Sequence, residues 1–318
     1  MTFPVELPQQ SYARANTKLA DFIVASGFDL ATAGAMAWMS QLAYETRFPE
    51  KVETVRKDWG LSSIVPHEKS SNSTLSLTDT NGFVSTGWGA TIVAFTGTDP
   101  LEVKDWLTDL RATRSPDDDT HTGFREGVDA VWRKLSSTIK NRDTAHRRLF
   151  IVGHSLGGAL AAIAARRLLR EEPSAEIAGV YTFGMPRCGG EQFARAYEPL
   201  LGPRTYRFVH GDDAVPTLPP SNFGYRHVGR LIQCPHDGTY RGVGLADAPS
   251  DEPRLLKSAL AAIGHGFGMF EDIIFTGRLP TPTQPDLLGV FLRLLEPSIG
   301  DHVPSRYLHA LGFELADS

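Results

Sequence analysis

A chain of 318 residues, 41% hydrophobic and 22% charged, has an ordinary globular composition and enough length for one large α/β core. Its net charge of −5 gives no support to nucleic acid as a partner. Two cysteines, Cys188 and Cys234, are too few for a disulfide framework and read as buried free thiols rather than a bridge. No Cys/His cluster has zinc spacing, so no metal site is expected.

Taken in chain order, residues 1–14 lack the apolar run of a signal peptide, which fits a cytoplasmic protein or the mature form of a secreted one. Asp29 can cap a helix over 30–44. Residues 48–74 read as polar and irregular, with Trp59 and Ile64 as isolated anchors. Segments 82–86 and 90–95 are apolar or alternating between turn signals and predict a hairpin of strands. Residues 99–110 place Val103, Trp106, Leu107 and Leu110 at helical spacing on one face, with Asp99, Glu102, Lys104, Asp105 and Asp109 on the other. A helix over 124–139, a strand over 149–152, a helix over 159–169 and a strand over 177–183 follow. Then come a helix over 192–201 and a strand over 205–209. Strands alternating with helices predict a mainly parallel sheet with helices on both faces. Beyond Cys234 the pattern loosens into Gly/Pro-rich sequence with apolar helical segments near 255–263 and 287–295, then a short helix over 304–311. The greasiest run, 287–295, is broken by Gly289 and Arg293 and is too short for a membrane span. The organisation is one domain over 1–318 with an insertion at about 235–299.

The sharpest chemical signal is Gly153-His154-Ser155-Leu156-Gly157. It lies between a strand and a helix former, the context of a nucleophile elbow that presents a serine Oγ on a strained turn. The competing reading is a glycine-rich turn in a nucleotide-binding loop. A serine nucleophile needs a base and a carboxylate to orient it, in the chain order Ser, acid, His. Asp212 and Asp213 stand just past a strand end and are the candidate acids. His236, His265, His302 and His309 compete for the base, with His302 ahead of His265 because it opens a turn near the chain end. Leu156 N–H, at a helix start, is one oxyanion donor, and the loop 95–99 supplies the second. The amphipathic stretch after that loop reads as a lid.

Several pieces match a known family in order: Val93-Ala94-Phe95-Thr96-Gly97-Thr98, Asp105-Trp106-Leu107-Thr108-Asp109-Leu110, His121-Thr122-Gly123-Phe124, the elbow itself, Thr182-Phe183-Gly184-Met185-Pro186-Arg187, Asp213-Ala214-Val215-Pro216, and Asp301-His302 followed by Tyr307. Over roughly 30–230 and the final turn the chain resembles the class 3 lipases, fungal-lipase-like α/β-hydrolases; its arginine- and alanine-rich composition is similar to bacterial members. The resemblance implies an α/β-hydrolase fold with a lid helix and a C-terminal helical elaboration. It implies Ser155 as nucleophile, Asp213 as acid, His302 as base, Thr98 and Leu156 at the oxyanion hole, and Trp106 on the lid. The family usually carries arginine where this chain has Thr96. The implied activity is triacylglycerol hydrolysis at a lipid–water interface, with no cofactor. An esterase, phospholipase or feruloyl-type esterase on the same fold, and a non-catalytic lipid-binding relative, are the alternatives.

Overall fold

The computed structural model describes residues 6–19, 22, 27–67, 81–97, 113–141, 148–219, 221–235, 238–240 and 300–316. The predicted insertion thus lies outside the described residues except for 235 and 238–240, as does the predicted lid.

Seven strands form one sheet among the described residues, in the order β1 (Leu61–His67), β2 (Gly82–Gly87), β3 (Ala90–Phe95), β4 (Leu149–His154), β5 (Ile177–Phe183), β7 (Thr205–His210) and β9 (Arg230–Cys234). The first three pair antiparallel, and every pairing from β3 onward is parallel. A two-stranded ribbon, β6 (Gly189–Gly190) with β8 (Tyr225–Arg226), stands apart. The mainly parallel sheet expected from the alternating pattern, and the α/β-hydrolase architecture implied by the resemblance, are therefore present, with the antiparallel edge containing the predicted hairpin.

Alternation along each central strand sorts side chains onto two faces. Ile92, Ala94, Phe150, Val152, Phe183 and Phe208 pack on one side. The helices α1 (Gln9–Leu19), α2 (Leu30–Glu45) and α3 (Pro49–Asp58), and the C-terminal α7 (Pro304–Ala310), supply the opposing residues. Val93, Phe95, Leu149, Ile151 and Val180 face the other way. They meet α4 (Thr122–Lys140), α5 (Leu156–Glu171) and α6 (Glu191–Leu201). Near-continuous apolar runs in β3 and β4 are what a strand covered on both faces requires.

The Asp29 cap is present: its carboxylate accepts from Thr32 N at 2.7 Å, satisfying an otherwise orphaned donor of α2. Residues 48–74 depart from the expectation of irregular chain, since 49–58 are helical and 61–67 form β1. Only Lys51 and Val55 are buried on α3, and β1 is the outer strand, so neither carries much apolar signal. Cys188 and Cys234 are both free and buried; burial pushes the Cys188 thiol up to about 12.

Candidate active site

The elbow is the turn from β4 to α5. Ser155 sits at φ +57°, ψ −130°, a backbone state that costs a non-glycine residue on the order of 1–3 kcal/mol. The flanking glycines explain how the turn holds together. A Cβ on Gly153 would clash with the Gly157 carbonyl group, and one on Gly157 would clash with the Phe95 carbonyl. Strand and helix approach too closely for any side chain there. Ser155 N donates to Phe183 O at 2.8 Å, which ties the strained turn to β5.

The three side chains named from the sequence come together although 58 to 147 residues separate them in the chain. His302 Nε2 lies 2.8 Å from Ser155 Oγ, and His302 Nδ1 lies 2.8 Å from Asp213 Oδ2. All three are buried. A carboxylate accepts only, so Nδ1 carries the proton and Nε2 is left to accept from the serine hydroxyl. Asp213 is further held by Val215 N, donating to Oδ1 at 2.9 Å, and by Tyr307 O–H, donating to Oδ2 at 2.5 Å. Burial, then the Asp213 charge, pushes the Tyr307 phenol well above its ordinary value, so it remains a donor.

Asp212, the other candidate acid, contributes only its backbone here: Asp212 N donates to Asp301 Oδ2 at 3.0 Å. Asp301 also stands 3.6 Å from His210 Nδ1. This clips the residue before His302 to the end of β7. Among the competing histidines, His309 is exposed on α7, and His236 and His265 lie outside the described residues.

Leu156 is the first residue of α5, so its N–H is one of the unpaired donors at that helix start, next to Ser155. Thr98, the other predicted oxyanion donor, lies outside the described residues, together with the lid positions Val103, Trp106, Leu107 and Leu110. The loop that leads to Thr98 is described up to Gly97. Thr96 anchors it with two bonds: its N–H donates to Asn81 O at 2.9 Å, and its Oγ1 donates to Ala43 O at 2.8 Å. Gly97 then presses on the elbow, where a Cβ would come within 2.6 Å of His154 O.

Several supporting residues had no role assigned to them from the sequence. Gly184, at φ +62°, backs directly onto the Asp213–His302 contact. Arg187 is buried and its Nη1 donates to the carbonyls of Thr217 and Pro219, the latter at 2.9 Å, while Arg187 N donates to Leu218 O at 2.7 Å. His227 Nε2 donates to Pro216 O at 2.7 Å. Both grip the loop that follows Asp213. Arg187 and Gly184 were part of the family motif, but only the fold reveals what they touch.

Residues 92–223, which contain the elbow and Asp213, match the family model for lipase (class 3). That match covers less than half of the chain. The chain is 36% identical over 134 residues to a secreted mono- and diacylglycerol lipase of Fusarium solani, an alignment covering 40% of this chain and 39% of that protein. It is 33% identical over 164 residues to a lipase of Rhizopus oryzae, covering 48% of this chain and 41% of that one. The matches thus span less than half the length of these curated relatives. Lipase II of Rhizopus niveus superposes with a TM-score of 0.57 at 23% identity, covering 75% of this chain and 92% of that chain. A mono- and diacylglycerol lipase of Aspergillus oryzae superposes with a TM-score of 0.56 at 22% identity, covering 72% and 94%. Both likenesses are of the fold. No described helix is long and apolar enough to cross a membrane.

Proposed function

We propose that this chain hydrolyses carboxylic esters, and acylglycerols in particular, with Ser155 as nucleophile, His302 as base and Asp213 as the orienting acid. The observation that carries the reading is the unbroken line of two 2.8 Å contacts from Ser155 Oγ through His302 to Asp213 at a strained elbow. As Oγ bonds to the ester carbonyl carbon, its proton passes to His302 Nε2 and the carbonyl oxygen takes the negative charge. Leu156 N–H, at the start of α5, faces that developing charge. Thr98 is the second donor by its place in the sequence; one such donor contributes roughly 10²–10³ in kcat. Collapse of the intermediate breaks the ester C–O bond, and the departing alcohol takes the proton from Nε2. Water then attacks the acyl-serine by the same route and releases the fatty acid. Asp213, already holding two other donors, stabilises each transient imidazolium.

Support for acylglycerols comes from the relatives: the Fusarium protein is named a mono- and diacylglycerol lipase, and an Arabidopsis thaliana protein 26% identical over 274 residues is named a triacylglycerol lipase. The residue set 99–110 is assigned as an amphipathic lid that opens at a lipid–water interface. The test is hydrolysis of p-nitrophenyl esters of increasing acyl length, below and above their solubility limit, beside an emulsified triglyceride. Ser155→Ala should abolish turnover without loss of fold, and a serine-directed phosphonate should label Ser155 alone. Turnover confined to short soluble esters would make the protein an esterase. Turnover that survives Ser155→Ala would remove the nucleophile assignment.

A further inference from the structure

The residue before the nucleophile does more than fill the elbow. His154 is 1% exposed, and its ring lies between α2 and the base, 4.6 Å from the His302 ring centroid. Its Nε2 is 2.6 Å from the backbone carbonyl of His302, and its Nδ1 is 2.8 Å from the Tyr44 hydroxyl. These two contacts determine the tautomer. A carbonyl oxygen can only accept, so Nε2 must carry the proton; Nδ1 of the neutral ring is then a lone pair, and the Tyr44 O–H must donate to it.

The geometry has a mechanical consequence. The side chain of His302 is fixed at both ring nitrogens, but its backbone arrives from a different part of the chain. The His154 N–H grips that backbone directly, and His154 is covalently next to Ser155. Any displacement of the elbow therefore carries the base with it, and the Ser155–His302 spacing is set locally rather than through the whole sheet.

We propose that His154 and Tyr44 are positioning residues for the base. Tyr44 O–H fixes His154 as the neutral Nε2-protonated tautomer, and that N–H holds the His302 carbonyl so that the imidazole meets Ser155 Oγ. Burial, and then repulsion from His302, holds His154 well below the usual histidine range, so it stays uncharged while His302 takes a proton. A cation so close to the transient imidazolium would oppose proton transfer. This inference rests on the reading of Ser155 and His302 as nucleophile and base.

The test uses the full chain and a soluble short-chain p-nitrophenyl ester. Tyr44→Phe keeps the ring and removes one hydroxyl. It should lower kcat roughly tenfold, with KM within about twofold of the parent and little change in Tm, because only positioning in the transition state is lost. His154→Phe should cost more, and His154→Gln, whose amide can donate to His302 O and accept from Tyr44, should recover part of the loss. Tyr44→Phe should add nothing on top of His154→Phe, since the hydroxyl then has no lone pair to fill. Histidine ¹⁵N spectra, assigned by loss of a signal in His154→Gln, should give His154 as neutral and protonated at Nε2 down to about pH 6. A kcat for Tyr44→Phe within twofold of the parent, additive effects in the double variant, or an Nδ1-protonated or charged His154 would each overturn the proposal. A parent protein that neither turns over ester nor reacts with the phosphonate would instead overturn the reading of the site on which it stands.

Discussion

Gly184→Ala isolates the Asp213–His302 contact without touching either residue. Gly184 follows β5 at φ +62°, and a Cβ built there would lie 2.8 Å from Asp213 Oδ2 and 2.8 Å from both Nδ1 and Cε1 of His302. Ordinary van der Waals contact begins near 3.4 Å, so the two partners must retreat by about 0.6 Å from a methyl group aimed at the bond between them. Both are fully enclosed, and the 2.8 Å hydrogen bond is what would yield. A misplacement of about 1 Å can cost on the order of 10² in rate, so kcat should fall between about tenfold and a hundredfold on a soluble ester. The positive φ adds a stability cost on the order of 1–2 kcal/mol, a shift of a few degrees in Tm. Gly89→Ala provides the control. Gly89 has φ +71° at the tip of the β2–β3 hairpin with nothing within 4 Å of a built Cβ, so it should show the Tm loss and no kcat loss. If both variants lost stability equally and kept kcat within twofold of the parent, the spacing of Asp213 and His302 would not matter to the reaction, and the assignment of Asp213 would fail with it.

Asp213→Asn should be far more damaging than Asp212→Asn. The first removes the charge that His302, Tyr307 and Val215 all address, while Asp212 engages Asp301 through its backbone, which an amide side chain preserves. Equal losses in kcat from the two variants would contradict the geometry. Stability should fall on acidification, because burial holds both His154 and His227 well below the usual histidine value. Both are neutral in the folded state, whereas the unfolded chain takes up protons below about pH 6.5. Their contribution is therefore complete above about pH 6.5 and declines as pH falls, by at most about 1.4 kcal/mol per pH unit for each histidine. Urea midpoints between about pH 7.5 and 5 should show this slope, and His227→Gln should flatten it; an unchanged slope in that variant would sink the argument.

The elbow, the central strands and two of the three residues that meet there, Ser155 and Asp213, were legible because each leaves a local mark. Leu149 to Val152 is an apolar run, Gly153 and Gly157 bracket the serine, and the acid follows a strand end. What escaped was either peripheral or relational. β1 is an outer strand, and only its ends, Leu61 and His67, are buried, so its sequence looks like a polar loop. α3 begins at Pro49 and buries only Lys51 and Val55, the lysine against the carboxylate of Glu45; no apolar stripe announces it. α1 buries Ser11, Tyr12, Ala15 and Leu19 at helical spacing, but two of the four are polar or amphipathic and blur the period. Gly184 and Tyr44 act on partners 29 to 118 residues away, a relation that no short window of sequence contains.

α2 shows why such relations converge on one element. Three consecutive residues at its C-terminal end serve three different neighbours. Ala43 O receives the Thr96 hydroxyl and so anchors the loop that leads to Thr98. Tyr44 O–H fixes His154. Glu45 takes Leu7 N at 3.0 Å, Gln41 Nε2 at 2.6 Å and the Lys51 ammonium, which secures the N-terminal helices. Successive helical residues point about 100° apart, so a helix asked to serve the loop, the elbow and the N-terminal layer at once cannot keep a solvent face. It buries 14 of its 16 residues, and its sequence accordingly has no one-sided stripe. A buried charge inside that packing is tolerable only because it is fully paired; removing Lys51 would strand Glu45 next to Tyr44. The segment that looks most like featureless core is thus the one through which the fold holds the loop leading to Thr98 and, by way of His154, the backbone of His302.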